Sequence, residues 1–381
     1  MSAPKIYLSP PKLNGKEVDY IREALDSNWI APAGPHLDLF EKKLADHAGV
    51  KQSLAVNSGT AAIHLALLAL GVKAGDEVIC PTFTFAGSCN PIFYCNAVPV
   101  FVDSEMETWN MDPALMAKTI ENRYRQTARL PKAIIVVHIY GMPAKMDEIM
   151  SVARRFGIPV IEDAAEAVGS MYKGRPVGSI GDLGVYSFNG NKIITTSGGG
   201  ALLSSNEEWM ERARYLSNQA KESSHIHYEH KEVGYNYRLS NLCAAVGLAQ
   251  LETLTDRVRE RREVFDSYKR ALTDFVFQGE PVEFFSNRWL TSVMLPDRLN
   301  RDEVLKGASS NGIEMRSFWK PLHTQYGVKA MFESDYPVAN ELFKRGVSLP
   351  FSNNVGISNW IRRPEKEIFS IKLNSFHGSK I

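Results

Sequence analysis

Apolar residues along this chain fall into short unbroken runs that alternate with longer stretches of mixed polarity. SLAV at 53–56 leads into AAIHLALLALGV at 61–72, where apolar positions extend over three helical turns and Gly71 stands where a helix C-cap would. The spacing predicts a strand, a tight loop and a helix. The alternation continues through DEVICP (76–81) before a Phe-rich turn, VPVFVD (98–103), a polar helix near 113–124, AIIVVHIYG (133–141), a helix at 146–156 and IPVIED (158–163). Strands this short and this apolar belong to the interior of a mainly parallel sheet with helices on both faces, an α/β architecture. Open sheets of that kind bind ligands beyond the carboxyl ends of their strands. Chemistry is therefore expected just after each strand.

From about residue 206 the texture changes to a helix, a polar segment rich in His and Tyr (223–241), and a long amphipathic helix near 240–270. The RVRERRE stretch at 257–263 reads as a solvated helix face rather than a nucleic-acid patch. Beyond 280 the strand candidates are shorter, SVMLP (292–296) and the run before Lys320 among them, and they predict a second, smaller α/β domain. The expected division is a large domain over 1–255 and a small one over 256–381.

The chain has 381 residues, 44% of them apolar, with 44 Lys+Arg against 43 Asp+Glu. That composition excludes disorder as the main theme. A net charge of +1 gives no general attraction to nucleic acid or anionic lipid, so any phosphate must be bound locally. The opening MSAPKIYLSPPKLNG holds no apolar stretch of signal-peptide length, and no membrane-spanning apolar run occurs, so a cytoplasmic protein is expected. Cys80, Cys89, Cys95 and Cys243 lack a metal-binding spacing and read as buried reduced thiols; no metal site is expected.

Four strand ends carry candidate chemistry. NSGTAA (57–62) enters a helix, where free N–H groups and the helix dipole favour a phosphate and Gly59 permits close approach; simple capping by Ser58 or Thr60 is the bland alternative. IPVIEDAAEAVGS (158–170) ends its strand on Glu162 and Asp163, either to cap a following helix or to set a fixed negative charge beside a cationic ring nitrogen; Glu166 follows, facing the same cavity or solvent. In GDLGVYSFNGNKIITTSGGGALL (181–203), Lys192 lies between a polar turn and a β-branched run that is followed by three glycines, a setting unlike that of a solvated helix lysine, with a surface lysine in a turn as the bland alternative. Such a lysine can form a Schiff base with an aldehyde, and Ser187 upstream could bond a phosphate of the same ligand. In PTFTFAGS (81–88), Phe83 reads as core and Phe85 as an aromatic face offered to a flat ligand. Together the four match the needs of pyridoxal phosphate.

The segments NSGTAA, PTFTF, VIEDAAE, GVYSFNGNKIITTSGGG and GYNYRLSN, in that order, resemble the fold-type I, pyridoxal-phosphate-dependent aminotransferases of the DegT/DnrJ/EryC/StrS type, which act on nucleotide-linked keto sugars. Within that family YLSPPKLNGKE, HYEHKEVGYNYRLSN and SNRWL are most similar to the enzymes that aminate carbon 4 of a UDP-linked 4-keto-6-deoxy-N-acetylglucosamine in bacillosamine synthesis. The resemblance implies that Lys192 joins the cofactor and shuttles the proton, that Asp163 partners the pyridine nitrogen, that Phe85 stacks on the ring, and that Gly59, Thr60 and Ser187 cradle the phosphate. It implies further that Asn236 reaches the phosphate of a neighbouring subunit, hence a homodimer with shared sites. Glu166 stands where much of the family carries Gln or His near the ring's phenolic oxygen. Asn287, Arg288, Trp289 and His323 match positions that meet the sugar nucleotide or shape its pocket; the alternatives are a core Trp289, an Arg288 paired with a local carboxylate and a structural, hydrogen-bonding His323.

L-Glutamate is the implied amino donor, pyridoxamine phosphate the implied intermediate form of the cofactor, and ping-pong kinetics the implied order. A related dehydratase group carries His at the lysine position, which Lys192 argues against. Two rivals remain: a GDP-4-keto-6-deoxymannose aminotransferase making perosamine, and a non-catalytic sensor of pyridoxal phosphate or a sugar nucleotide. The closing stretch LPFSNNVGISNWIRRPEKEIFSIKLNSFHGSKI departs from the family's usual LPSG and final amphipathic helix.

Overall fold

The computed structural model describes residues 6–222, 226–325 and 335–351. The divergent tail beyond Phe351, and with it the question of a final helix, lies outside the described residues.

Two helices, α1 (Glu17–Asp26) and α2 (Pro35–Ala48), precede the first strand. The alternating core then runs β1 (Gln52–Val56), α3 (Gly59–Ala69), β2 (Glu77–Pro81), α4 (Ala86–Tyr94), β3 (Val98–Val102), α5 (Pro113–Thr127), β4 (Ala133–Val137), α6 (Met146–Phe156) and β5 (Val160–Asp163). Two short strands, β6 (Met171–Tyr172) and β7 (Arg175–Pro176), lead to β8 (Leu183–Ser187), β9 (Gly200–Ser204) and α7 (Glu207–Ser217). The rest comprises α8 (Asn241–Leu251), α9 (Leu254–Ala271), β10 (Val276–Phe277), β11 (Phe284–Phe285), β12 (Thr291–Met294), α10 (Arg301–Ser310), β13 (Arg316–Ser317), α11 (Pro337–Arg345) and β14 (Gly346–Leu349).

Seven strands form the main sheet in the order β1-β9-β8-β5-β4-β2-β3, parallel except for β9, which runs antiparallel to both of its neighbours. Every residue of β4, β5 and β8 is buried. That explains their continuous apolar runs: a strand covered on both faces has no solvent side on which to place polar residues. Burial of each large aliphatic side chain contributes about 1.5–3 kcal/mol, and Glu162 is tolerated inside β5 only because every acceptor it offers is used. Its carboxylate accepts from His138 Nε2 and from the N–H groups of Gly178, Ile180 and Gly181. Burial opposes its ionisation, yet these donors, His138 foremost, hold its carboxyl below the usual value.

The helix expected over 240–270 is two helices. Thr253 leaves helical geometry between them, and its hydroxyl donates to the Gln250 carbonyl. The break follows from two different tasks. The largely apolar α8 packs against α1 and α2 beside the main sheet, while α9 crosses from one core to another. Its Leu254 and Val258 belong to the large core, Val264 and Tyr268 to a second core over the sheet β10-β12-β14-β13. The division expected at residues 255 and 256 thus falls in the first turn of α9. A third small sheet, β11-β6-β7, pairs Phe284 with Tyr172 and ties the later part of the chain to the loops after β5.

Candidate active site

A cavity of about 970 Å³ opens where the carboxyl ends of β1, β2, β5 and β8 meet, and its far wall is supplied by Arg316 of β13, in the four-stranded sheet, with Glu314 just before that strand. That is the position an open α/β sheet assigns to a ligand.

At the end of β1, the Ser58 side chain caps α3 by accepting the Ala61 N–H at 3.1 Å. The bland reading of this segment therefore holds for Ser58. It does not consume the first-turn N–H groups of Gly59 and Thr60, which have no intrahelical partner. A Cβ on Gly59 would lie 3.1 Å from that of Ser187, so α3 and the end of β8 meet where only a glycine fits comfortably. On the other side, a Cβ on Gly87 would stand 3.1 Å from the Thr60 hydroxyl and 3.2 Å from the Phe85 ring. The resulting hollow, walled by Gly59, Thr60 and Ser187 and facing a helix N-terminus, suits a phosphate.

After β2, Phe83 and Phe85 part company as alternation requires. Phe83 is buried against Tyr140 and Phe318, whereas Phe85 is 55% exposed, borders the cavity, and meets Trp319 at 5.0 Å between ring centroids. Beyond Phe85, the Ser88 hydroxyl donates to Asp163 Oδ2 at 2.6 Å, and Thr84 and Ser88 share a further hydrogen bond.

No helix follows β5 directly, so Asp163 caps none; its Oδ1 accepts the Ala165 N–H at 3.1 Å. Burial pushes the Asp163 carboxyl up, and Ser88, Ala165 and the Lys192 amine act against that shift. Glu166 points into the same cavity, which removes the solvated alternative. Its Oε2 accepts the Tyr140 N–H at 2.6 Å and its Oε1 the Trp319 indole N–H at 3.3 Å. Burial raises its carboxyl too, with Lys192 the strongest opposing influence.

Lys192 is not a surface lysine. Its Nζ lies 4.0 Å from Glu166 Oε1 and 4.0 Å above the centre of the Trp289 ring. Burial pushes the amine down, against the two carboxylates, so more of it is unprotonated near neutral pH than of a solvated lysine. An amine in this state can attack an aldehyde, and a buried acid one strand away can hold a positive ring nitrogen.

The other expected positions divide. Trp289 lines the cavity and fixes its indole by donating to the Asn191 carbonyl at 2.7 Å. Asn287 and Arg288 do not line it, so of the two expected roles, meeting the sugar nucleotide or shaping its pocket, the structure gives them contacts only of the second kind. The Asn287 amide donates to the carbonyls of Glu166 and Val168, so it braces the loop that carries Glu166. Arg288 turns away on a left-handed backbone (φ 51°), pairs with Glu280 at 2.8 Å and stacks over Phe265. His323 shares a 2.7 Å hydrogen bond with Thr82 and stacks on Tyr336, a structural setting outside the cavity lining. Asn236 is exposed and outside this chain's own cavity lining; its backbone carbonyl accepts from the Asn57 amide.

The sequence reading missed Ser88, Tyr140, Trp319, the pair Glu314 and Arg316, and the contribution of Ser9. Ser88 had a signal, since it follows Phe85 by one helical turn; the others come from distant segments. Among the described residues, Lys192 and Arg316 are the cations lining the cavity, against Asp163, Glu166 and Glu314.

Residues 11–359 match the model of the DegT/DnrJ/EryC1/StrS aminotransferase family. The chain is 50% identical over 380 residues to EpsN of Bacillus subtilis (strain 168), to which a pyridoxal phosphate-dependent aminotransferase activity is ascribed, covering 98% of this chain and 96% of that one. It is 40% identical over 341 residues to the GDP-perosamine synthase of Escherichia coli O157:H7, covering 89% and 91%. Among solved structures it is similar to the PLP form of Spr1654 from Streptococcus pneumoniae, ascribed a sugar aminotransferase activity. That likeness has a TM-score of 0.86 at 26% identity, covering 96% of this chain and all (100%) of that one. No helix among the described residues is long and apolar enough to cross a membrane.

Proposed function

Because the chain belongs to the DegT/DnrJ/EryC1/StrS aminotransferase family of pyridoxal-phosphate-dependent sugar aminotransferases, we propose that it aminates carbon 4 of a nucleotide-linked 4-keto-6-deoxy sugar, with Lys192 as the cofactor-bearing lysine. The observation that carries this reading is the Lys192 amine, withdrawn from water between Trp289 and Glu166 in the cavity that also holds Asp163.

When bound, pyridoxal phosphate supplies an electron sink that lets a carbon acid lose and regain a proton. Gly59, Thr60 and Ser187 would hold its phosphate, Phe85 its ring face, and Glu166 the side of the ring nearest Tyr140 and Trp319. Asp163, ionised, keeps a ring nitrogen protonated, and the Ser88 and Ala165 donors favour that ionised form. Lys192, lowered in pKa and free to leave its position over Trp289, takes a proton from the amino donor's carbon and later returns one to the sugar's carbon. Arg316, on the facing sheet and paired with Glu314 at 3.0 Å, is the cation besides Lys192 among the described lining residues and would meet an incoming carboxylate or diphosphate. Two half-reactions at one lysine give ping-pong kinetics.

The substrate we favour is a UDP-linked 4-keto-6-deoxy-N-acetylhexosamine, with L-glutamate as donor, giving a UDP-4-amino-4,6-dideoxy-N-acetylglucosamine for bacillosamine-type glycans. Support comes from the YLSPPKLNGKE and SNRWL segments, which line the cavity through Tyr7 to Pro11 and through Trp289 and Leu290. The second reading, amination of GDP-4-keto-6-deoxymannose, is favoured by the perosamine synthase relative at 40% identity. Incubation with glutamate and both nucleotide sugars, followed by mass and proton-coupling analysis, separates the two. Lys192→Ala should abolish turnover and the borohydride-reducible link between protein and cofactor; a variant keeping both refutes the assignment. Asn236 is assigned to the site of a second copy, so two subunits crippled in different halves of the site should recover activity when mixed.

A further inference from the structure

The backbone just before Lys192 is held from outside its own loop. The Asn191 carbonyl accepts two hydrogen bonds of 2.7 Å, one from the Trp289 indole and one from the Ser9 hydroxyl. Ser9 is itself fixed, because Arg261, buried in α9, donates to the same hydroxyl at 3.0 Å. The segment around Ser9 is anchored to residues that flank β13 and β14 of the four-stranded sheet. Ile6 exchanges backbone hydrogen bonds with Gly312 and Glu314, Leu8 donates its N–H to the Glu314 carboxylate at 3.1 Å, and the Leu8 carbonyl accepts from Phe351. Pro10 and Pro11 then stiffen the chain as it passes along the cavity wall.

We infer that residues 6–11 form a positioning strap, in which Ser9 sets the location of the Lys192 amine through the Asn191 carbonyl. The inference rests on Lys192 being the cofactor-bearing lysine. The physical argument is one of leverage. Asn191 is otherwise exposed, and the turn it belongs to is closed locally by the Lys192 N–H bonding the Asn189 carbonyl. Such a turn has little packing to hold it, so its orientation depends on tertiary anchors. The two anchors act on one oxygen from two directions, Trp289 from the floor beneath the amine and Ser9 from the strap. Removing Ser9 leaves the turn able to pivot about the Trp289 bond, and the amine at the end of a four-carbon stem moves with it relative to Glu166. Ser9 does not need to touch cofactor or substrate for this; it is a positioning residue. The strap also couples the four-stranded sheet, which carries Arg316, to the loop that carries the reacting amine.

The test uses full-length protein loaded with pyridoxal phosphate, in parent, Ser9→Ala, Ser9→Cys and Ser9→Thr forms. Misplacement of a reacting group by about 1 Å costs up to a hundredfold in rate, so a partial loss of anchoring should lower kcat about tenfold, with KM for glutamate unchanged. In Ser9→Ala and Ser9→Cys the pH midpoint of the cofactor's visible band should also be displaced, and Ser9→Thr, which keeps the hydroxyl, should restore both kcat and midpoint. Parent-like kcat and midpoint in Ser9→Ala overturn the inference. So does a lowered melting temperature with an unmoved midpoint, which is what a merely structural role predicts. A parent protein with no borohydride-reducible link at Lys192 overturns instead the assignment of that lysine, and the strap's role with it.

Discussion

Ser88 and Asp163 lie 75 residues apart in sequence and are joined by a 2.6 Å hydrogen bond from the serine hydroxyl to carboxylate Oδ2. Burial pushes the Asp163 carboxyl up, and this bond leads the influences that pull it back. Ser88→Ala should therefore let Asp163 take a proton at higher pH than in the parent. A hydrogen bond to a charged group is worth about 1.5–3 kcal/mol, so cofactor affinity should fall by roughly tenfold or more. The deficit should grow as pH falls, because protonated Asp163 no longer balances a charged ring nitrogen. Spectrophotometric titration with pyridoxal phosphate across pH reads this, and affinity that stays at the parent value throughout would sink the claim.

Glu166 acts on the other partner. The Lys192 amine is pushed down by burial and held up chiefly by the Glu166 carboxylate 4.0 Å away. In Glu166→Gln that support is gone, so the amine loses its proton at lower pH. The rate at which protein lacking cofactor captures added pyridoxal phosphate should then reach half its plateau at a lower pH than in the parent. Stopped-flow absorbance gives the midpoint; a shift towards higher pH would mean that the carboxylate is not the amine's counter-charge.

The elements that the apolar pattern foretold are those whose burial is two-sided. β4 and β5 have no wet face, and so they read as continuous apolar runs ending at the site. The four-stranded sheet of the later chain was legible only as a region, because its outer strands β10 and β13 are two residues long and hold too little period to recognise. The site shows the same limit. Asp163 ends β5 and Lys192 lies in the turn that follows β8, beyond the carboxyl edge of the sheet, where position alone announces chemistry. Asn287, Arg288 and Trp289 are consecutive, yet they face a loop, the nearby Glu280 carboxylate and the cavity in turn, because the left-handed backbone at Arg288 redirects the chain. Nothing in one sequence reports that rotation.

Glu162, next to Asp163, should behave in the opposite sense. Its folded value lies below the ordinary carboxylate value of 4.5, so the stability it contributes is present above that value and is lost as pH falls through the depressed folded one. Glu162→Gln removes the charge and leaves N–H donors facing an amide. Breaking a buried, hydrogen-bonded pair from one side costs about 3–5 kcal/mol, which is the loss expected at neutral pH. In acid the parent's carboxyl is itself protonated, so the gap between the two proteins should narrow. Urea denaturation at neutral and acid pH measures the gap, and a constant difference would show that ionisation of Glu162 contributes nothing.

The glycine run at 198–200 offers a test of the phosphate hollow that separates crowding from flexibility. Gly200 pairs with Val56 on one side and Ser187 on the other. A Cβ there would stand 2.5 Å from the Gly59 nitrogen and 2.5 Å from the Ser58 carbonyl carbon, both of them backbone that cannot swing aside. Gly200→Ala must push the start of α3 away from the end of β8, opening the angle between Gly59 and Ser187. Overpacking of this kind costs about 1–3 kcal/mol, so the melting temperature should drop, and affinity for pyridoxal phosphate should drop with it. Gly198 has nothing within 4 Å of its own added Cβ, so Gly198→Ala should change stability by about 0.5 kcal/mol or less. Calorimetry with and without cofactor on the parent and the two variants gives the comparison. If Gly200→Ala binds the cofactor as tightly as the parent does, the N-terminus of α3 is not where its phosphate sits.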